Sequence, residues 1–369
     1  MALWTVKYVI CMATKISPPG AVPAVIPASV RARVVSMYAV LIGANIGAWV
    51  WALIAFHNHP VLLGTALLAY AFGLRHAVDA DHIAAIDNVT RKLMQQGKRP
   101  VAVGFFFSLG HSTIVFGLSV VIALTSVAIK DRFNSFQTIG GVIGTAVSAF
   151  FLLAIALANL IVLVSVYQTF RHVRQGGRFT DENLNLILSK RGFFGRIFRN
   201  LFQLIEHGWQ MYPVGFLFGL GFDTATEVGL LGISATEATQ GLPIWSILVF
   251  PTLFAAGMAL IDSTANVLML SAYGWAFVKP VRKLYYNMII TLVSVLVALL
   301  IGGIEVLGLI GDRLKIHGAI WDTIGTLNNN FGIVGFVIIG VFVVSWAVSI
   351  FVYRMNRYDE IEVNTDPVG

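Results

Sequence analysis

The stretch that decides the fold is Leu74-Arg75-His76-Ala77-Val78-Asp79-Ala80-Asp81-His82-Ile83. It holds two imidazoles, two carboxylates and a guanidinium, and it continues directly from an apolar run, Val61 to Leu74, that reads as a membrane helix. An ionisable side chain at bilayer depth costs about 2.5–3.5 kcal/mol on insertion scales. Arg75, Asp79 and Asp81 together would cost several times that if they faced lipid. They must therefore face a protein interior or a water-filled cavity, and something there must reward their burial.

The rest of the chain has the composition of a membrane protein. It is 57% hydrophobic and 12% charged, with a mean hydropathy of +0.81, whereas soluble domains carry about 25% charged residues. The net charge of +7 does not point to nucleic acid, because the Lys and Arg residues lie between hydrophobic spans, where they orient the protein. Cys11 is the only cysteine, so neither a disulfide framework nor a thiolate metal site is expected. The pattern of a secretory signal peptide is missing. Residues 1–33, with Pro18, Pro19, Pro23 and Pro27 among small residues, read as a poorly ordered cytoplasmic tail.

Hydropathy predicts an all-α polytopic bundle of eight transmembrane helices. The spans are roughly 34–56, 61–90, 101–129, 138–167, 211–235, 244–277, 285–310 and 331–353. The transport domain runs from 34 to 354, with a short C-terminal tail, 355–369. The second and sixth spans exceed what a bilayer needs, so tilt or interruption is expected. Cations gather in alternate connections: Arg31 and Arg33; Arg91, Lys92, Lys98 and Arg99; the long 168–210 loop; Lys279, Arg282 and Lys283; and Arg354 and Arg357. The positive-inside rule then puts both termini in the cytoplasm, in agreement with an even number of spans.

Within the long loop, Phe193, Phe194, Ile197, Phe198, Leu201 and Phe202 interleave with Arg196 and Arg199, the pattern of a basic amphipathic helix on the anionic inner leaflet. Small residues recur where helices could approach: Gly43 with Gly47, Gly140 with Gly144, Gly215 with Gly219. Phe72-Gly73-Leu74 in span two is echoed by Phe218-Gly219-Leu220 in span five, and Gly110 of span three by Gly257 of span six. An offset of three spans reverses direction through the membrane, as in inverted repeats.

If span two stays helical, each residue turns about 100°, and His76, Asp79 and His82 share one face. Asp81 then points elsewhere. Either it has a separate partner, or the helix is locally unwound and presents His76, Asp79, Asp81 and His82 together; unwinding at this depth is tolerated only where backbone lines a cavity. Imidazole plus carboxylate without thiolate suits nickel, cobalt, zinc or iron as divalent ions. A buried His–Asp network that merely packs helices is the plainer alternative, weakened by the density of these groups. Span three adds His111, as ligand or as a residue that orients one. Span five adds Asp223 and Glu227, spaced i and i+4. Span six adds Asp262 and Asn266 at the same spacing. Asn45 of span one either packs helices or fixes the tautomer of a ligating His.

Together these segments resemble the nickel/cobalt transporter family of prokaryotic and fungal permeases. His76, Asp81 and His82 match its span-two signature H-x4-D-H. Phe107 to Ser112, Leu220 to Glu227 and Gly257 to Asn266 are similar to its motifs on spans three, five and six, and the segment around Asn45 and Trp49 also fits. One position departs: Asn266 stands where the family usually has an acid. The resemblance implies an eight-span secondary transporter for high-affinity uptake of Ni²⁺, with Co²⁺ as second substrate. The expected mechanism is uptake across a prokaryotic inner membrane, with capture by His76, Asp79, Asp81 and His82, and with His111, Asp223, Glu227 and Asp262 completing or supporting the site. The expected partners are a divalent metal ion as cargo and the lipid bilayer, with no resident cofactor and no nucleic acid. A P-loop is missing, so ATP drive is not expected. The rivals are an intramembrane metalloenzyme, which would want His-Glu-x-x-His on one helix, a membrane serine hydrolase using Ser112, which would want a Gly-x-Ser-x-Gly elbow, and a proton-coupled transporter for another substrate. The chain carries neither of the two motifs.

Overall fold

A computed structural model describes residues 28–125, 130–174, 205–220, 225–276, 280–328 and 330–355. The described residues are helical, without strands. In chain order they form α1 (Ala28–Phe56), α2 (Pro60–His76), α3 (Ala80–Gln95), α4 (Val103–Thr125), α5 (Lys130–Arg174), α6 (Met211–Phe218), α7 (Ala225–Thr239), α8 (Ile244–Ile247), α9 (Val249–Ala276), α10 (Pro280–Leu314), α11 (Ala319–Asn328) and α12 (Phe331–Met355). Six helices are long and apolar enough to cross a membrane, and α2 with α3, bent by 50° at their junction, make a seventh if counted as one span. Of the expected fifth span, α6 and α7 are described; residues 221–224 between them lie outside the described set together with 1–27, the Phe193–Phe202 segment and 356–369. Residues 28–33, expected in the tail, belong to α1.

The α2–α3 junction resolves the choice left by helical periodicity: the span is interrupted. Pro60 opens α2 at a position where its missing N–H costs nothing. The helix ends at His76, and Asp79 takes the extended N-cap conformation before α3 (φ −62°, ψ 147°). Asp is a favoured cap residue, yet its carboxylate makes no cap hydrogen bond here; it turns to His76 instead. Beyond the break, every residue of α3 from His82 to Met94 is buried. A helix enclosed all round has no solvated face, so its charges need partners inside the protein. Arg91 and Lys92, expected in a cytoplasmic connection, are therefore helical and buried. Lys92 Nζ donates to the carbonyl of Ile205 at 3.0 Å.

α9 is the other central helix, packed on α1, α2, α3 and α4. Leu253, Phe254 and the stacked pair Phe56–Phe250 fill its junction with α1 and α2. Ile83, Ile86, Leu93, Phe107, Leu152 and Ile301 fill the space around α3. Leu53, Leu67, Phe150, Leu300, Phe336 and Val343 are exposed, as lipid-facing residues should be. Lipid is as apolar as these side chains, so helix association depends on close contact and hydrogen bonds rather than water exclusion.

Two of the close crossings that supply that contact match each other. Where α2 meets α9, Gly73 lies on the carbonyl of Phe254, and Gly257 lies on Tyr70 O and Leu74 N. Where α6 meets α4, Gly215 lies on the carbonyl of Phe107, and Gly110 lies on Tyr212 O and Phe216 N. A β-carbon at Gly73, Gly110 or Gly215 would overlap backbone. The two crossings correspond atom for atom. Gly110 pairs with Gly257, as the sequence suggests, but Gly73 pairs with Gly215, one turn before the expected Gly219.

Candidate metal centre

The break in α2–α3 places His76 at the end of one helix and His82 in the first turn of the next. The α4–α6 and α4–α9 contacts bring His111 against both. One ring nitrogen from each of His76, His82 and His111 lies within 4.8 Å of the others, and all three residues are buried. The ring centroids stand 4.6 to 5.0 Å apart. Phe254 packs on His76 and Phe107 stands edge-on to His82, giving the cluster apolar walls.

Carboxylates hold the outer nitrogens of two rings. His76 Nδ1 lies 2.9 Å from Asp79 Oδ2 and 3.3 Å from the Thr226 hydroxyl. His82 Nδ1 lies 3.2 Å from Asp262 Oδ2, and Ser108 donates to that same oxygen at 2.5 Å. Against an ionised carboxylate each Nδ1 donates and the Nε2 of a neutral ring keeps its lone pair; by the same rule His111 Nε2 donates to Glu227, and His111 Nδ1 makes no hydrogen bond. The Nε2 atoms of His76 and His82 turn inward. His76 Nε2 is 3.0 Å from His111 Nε2, which is 2.8 Å from Glu227 Oε1. His82 Nε2 makes no hydrogen bond. A buried nitrogen without a partner normally costs 1–3 kcal/mol or so. One nitrogen from each of the three imidazoles thus faces a shared buried space, with the Glu227 carboxylate beside His111, residue types suited to a borderline divalent ion.

The remaining sequence candidates fall in different places. Asp79 and Asp262 sit behind the rings as hydrogen-bond acceptors. Asp81 is half-buried and aims Oδ1 into the interior without a hydrogen bond. Asp223 lies outside the described residues. Asn45 donates to the carbonyls of Leu41 and Ala256 and accepts from Tyr70, so its amide packs α1 against α9 and α2, the first of its two expected roles. Asn266 accepts from Gly104 N at 3.1 Å and donates to Pro100 O and Thr90. It anchors the first turn of α4 to α9, work that needs an amide donor and leaves no atom for an ion.

Sequence reasoning missed Ser108, Thr226 and a second polar cluster around Asp87 and Arg91. The first two were visible only as hydroxyls beside candidate ligands. The signal for the third was the i, i+4 pairing of opposite charges.

A family model described as a high-affinity nickel-transport protein matches residues 62–352. The chain is 60% identical to a high-affinity nickel transport protein of Cupriavidus necator, over 90% of this chain and 95% of that protein. It is 46% identical to the nickel transporter NicT of Mycobacterium tuberculosis, over 88% and 89%. It is 42% identical to the cobalt transport protein NhlF of Rhodococcus rhodochrous, over 77% and 81%. No solved structure matches the chain. The match to the family model and the extent of these likenesses leave one assignment: the chain belongs to the high-affinity nickel-transport family, whose members are permeases rather than enzymes.

Proposed function

We propose that the protein is a secondary transporter that carries Ni²⁺ inward across the cytoplasmic membrane, and that His76, His82 and His111, with Glu227, bind the ion during passage. The observation that carries this reading is the convergence of the three imidazole nitrogens, two of them backed by carboxylates. Water leaves the ion as neutral nitrogen and carboxylate oxygen replace it. Asp79 and Asp262 hold the rings in the ligating tautomer. Asp81, at the half-buried edge of the cluster, attracts the cation toward the rings, and Asp223 serves the same site from the segment between α6 and α7. An inside-negative potential contributes about 2.3 kcal/mol per elementary charge per 100 mV, twice over for a divalent ion.

The topology in this proposal has eight crossings, with α2–α3 and α6–α7 as broken spans and both termini cytoplasmic. The matched glycine crossings support an inverted repeat that relates α2–α4 to α6–α9, the arrangement in which alternating access runs around a fixed central site. Co²⁺ is a second substrate: it accepts the same donors, and one relative is named a cobalt transport protein. The test is accumulation of radiolabelled nickel by cells expressing the full chain. Wild type should accumulate label and His76→Ala should not, at equal abundance in the membrane. Normal accumulation by the variant would remove His76 from the ion's path.

A further inference from the structure

Asp87 and Arg91 lie between one and three turns beyond His82 on α3, and both are completely buried. Arg91 Nε is 3.9 Å from Asp87 Oδ2 and donates to Ser294 Oγ at 3.2 Å. Arg91 Nη2 donates to Asn88 Oδ1 at 2.9 Å, which also accepts from Asn159 at 2.7 Å. The Tyr273 hydroxyl donates to the other carboxylate oxygen of Asp87. This one cluster ties α3 to α5, α9 and α10.

The pairing is incomplete. Asp87 Oδ2 and Arg91 Nη1 make no hydrogen bond. A buried ion pair offsets its desolvation only when geometry is good and the remaining polar atoms are satisfied. Apolar side chains would hold four helices together at less cost, so this cluster is a poor staple but one that water can readily replace. Its position differs from that of the opposite side of the histidines. There Arg75 is exposed and Asp81 half-buried, and Gly332 in the first turn of α12 lies against Arg75 and Asp79. Gly335, one turn further on, lies on the carbonyl of Val78, so α12 packs closely on the break; what reaches the surface on this side is Arg75 and part of Asp81, while toward Asp87 the helix is buried throughout.

We propose that the Asp87–Arg91–Tyr273 cluster is the gate between the ion site and the cytoplasm, a reading that rests on the transport function and topology given above. Closed, it holds the far half of α3 against α9 and α10. Opening swings that half about the Ala77–Asp79 break, where the chain already bends by 50° and single-turn bonds, Val78 N to Arg75 O and Asp79 N to His76 O, end the continuous ladder, and hydrates the freed charges. His82 rides on the same helix, so an ion that draws His82 toward His76 and His111 pulls on the gate.

The test uses the full chain in vesicles, with Cys11→Ser and a reporter Ala85→Cys, a fully buried position between His82 and Asp87. A membrane-impermeant thiol reagent is applied to the cytoplasmic face. Asp87→Asn should speed labelling about tenfold or more, keep the nickel dissociation constant within about threefold, and lower nickel uptake about tenfold. Tyr273→Phe, which removes a single hydroxyl and should fold normally, should shift labelling in the same direction by less. Labelling unchanged in both variants overturns the proposal. So does a nickel affinity that falls in step with uptake, because Asp87 would then belong to the ion site. A parent protein that takes up no nickel would instead overturn the transport reading, while the labelling rates, measured without nickel, would still decide the gate.

Discussion

Two buried polar clusters lie within a few turns of each other on α3, and their chemistry is opposite. The histidine cluster gathers acceptors: one nitrogen from each of three rings lies in a shared buried space, and the Nδ1 atoms of His76 and His82 turn outward to Asp79 and Asp262. The Asp87–Arg91 cluster already contains its cation, the guanidinium. The first is arranged to receive a positive charge, and the second is filled by one. Burial cost is high in both, but only the first can recover it from an ion in transit. The difference shows that buried charge by itself does not identify a metal site; what matters is where the lone pairs point and whether a tethered cation has claimed them.

Substitutions should separate the clusters by what they change, affinity in the first and passage in the second. The largest effect is expected at the rings. His82→Ala removes a ring nitrogen that makes no hydrogen bond, and nickel affinity measured by calorimetry should fall more than about 100-fold. If it falls only slightly, the three nitrogens do not share an ion. Asp262→Ala frees the His82 ring and should cost about 10- to 100-fold in affinity; the same loss with Asp262→Asn would show that orientation needs the carboxylate charge and not merely an acceptor. Ser108→Ala removes one hydrogen bond behind Asp262, worth about 1 kcal/mol, or roughly fivefold in dissociation constant, and Ser108→Thr should restore it. The smallest effect belongs to Asn45→Ala. Its amide packs helices, so affinity should stay within about twofold, while stability drops by about 1 kcal/mol in a denaturant titration. A larger loss of affinity at Asn45 would place it with the histidines after all.

The parts legible in sequence were those where chemistry is dense along the chain. Two His and two Asp inside an apolar run single out span two, and the misfit of Asp81 with the face shared by His76, Asp79 and His82 already raises the prospect of an interrupted helix. The glycine correspondence was legible at Gly110 and Gly257, but the choice of Gly215 over Gly219 depends on helix crossing, which short matches do not encode. The roles of the carboxylates were not legible. Whether Asp262 binds an ion or braces His82 depends on which ring nitrogen it meets across 180 residues of chain. Arg91 misled for a related reason. It follows the apolar run, among cations that mark a cytoplasmic connection, and only the packing of Tyr273, Ser294 and Asn88 around it shows a charge held inside the protein. Asn266 reads as a departure in charge, but its amide is matched to two donors' worth of work on Pro100 and Thr90 and to the Gly104 amide.

The most direct measurement is a nickel-soaked crystal or frozen-hydrated structure of the full chain, with the ion identified by anomalous scattering at its absorption edge. We expect one peak among His76 Nε2, His82 Nε2 and His111 Nε2, with Asp79 and Asp262 still hydrogen-bonded behind their rings. A peak held by Asp79, Asp81 or Asp87 instead, with the imidazoles turned away from it, would contradict the shared-nitrogen site.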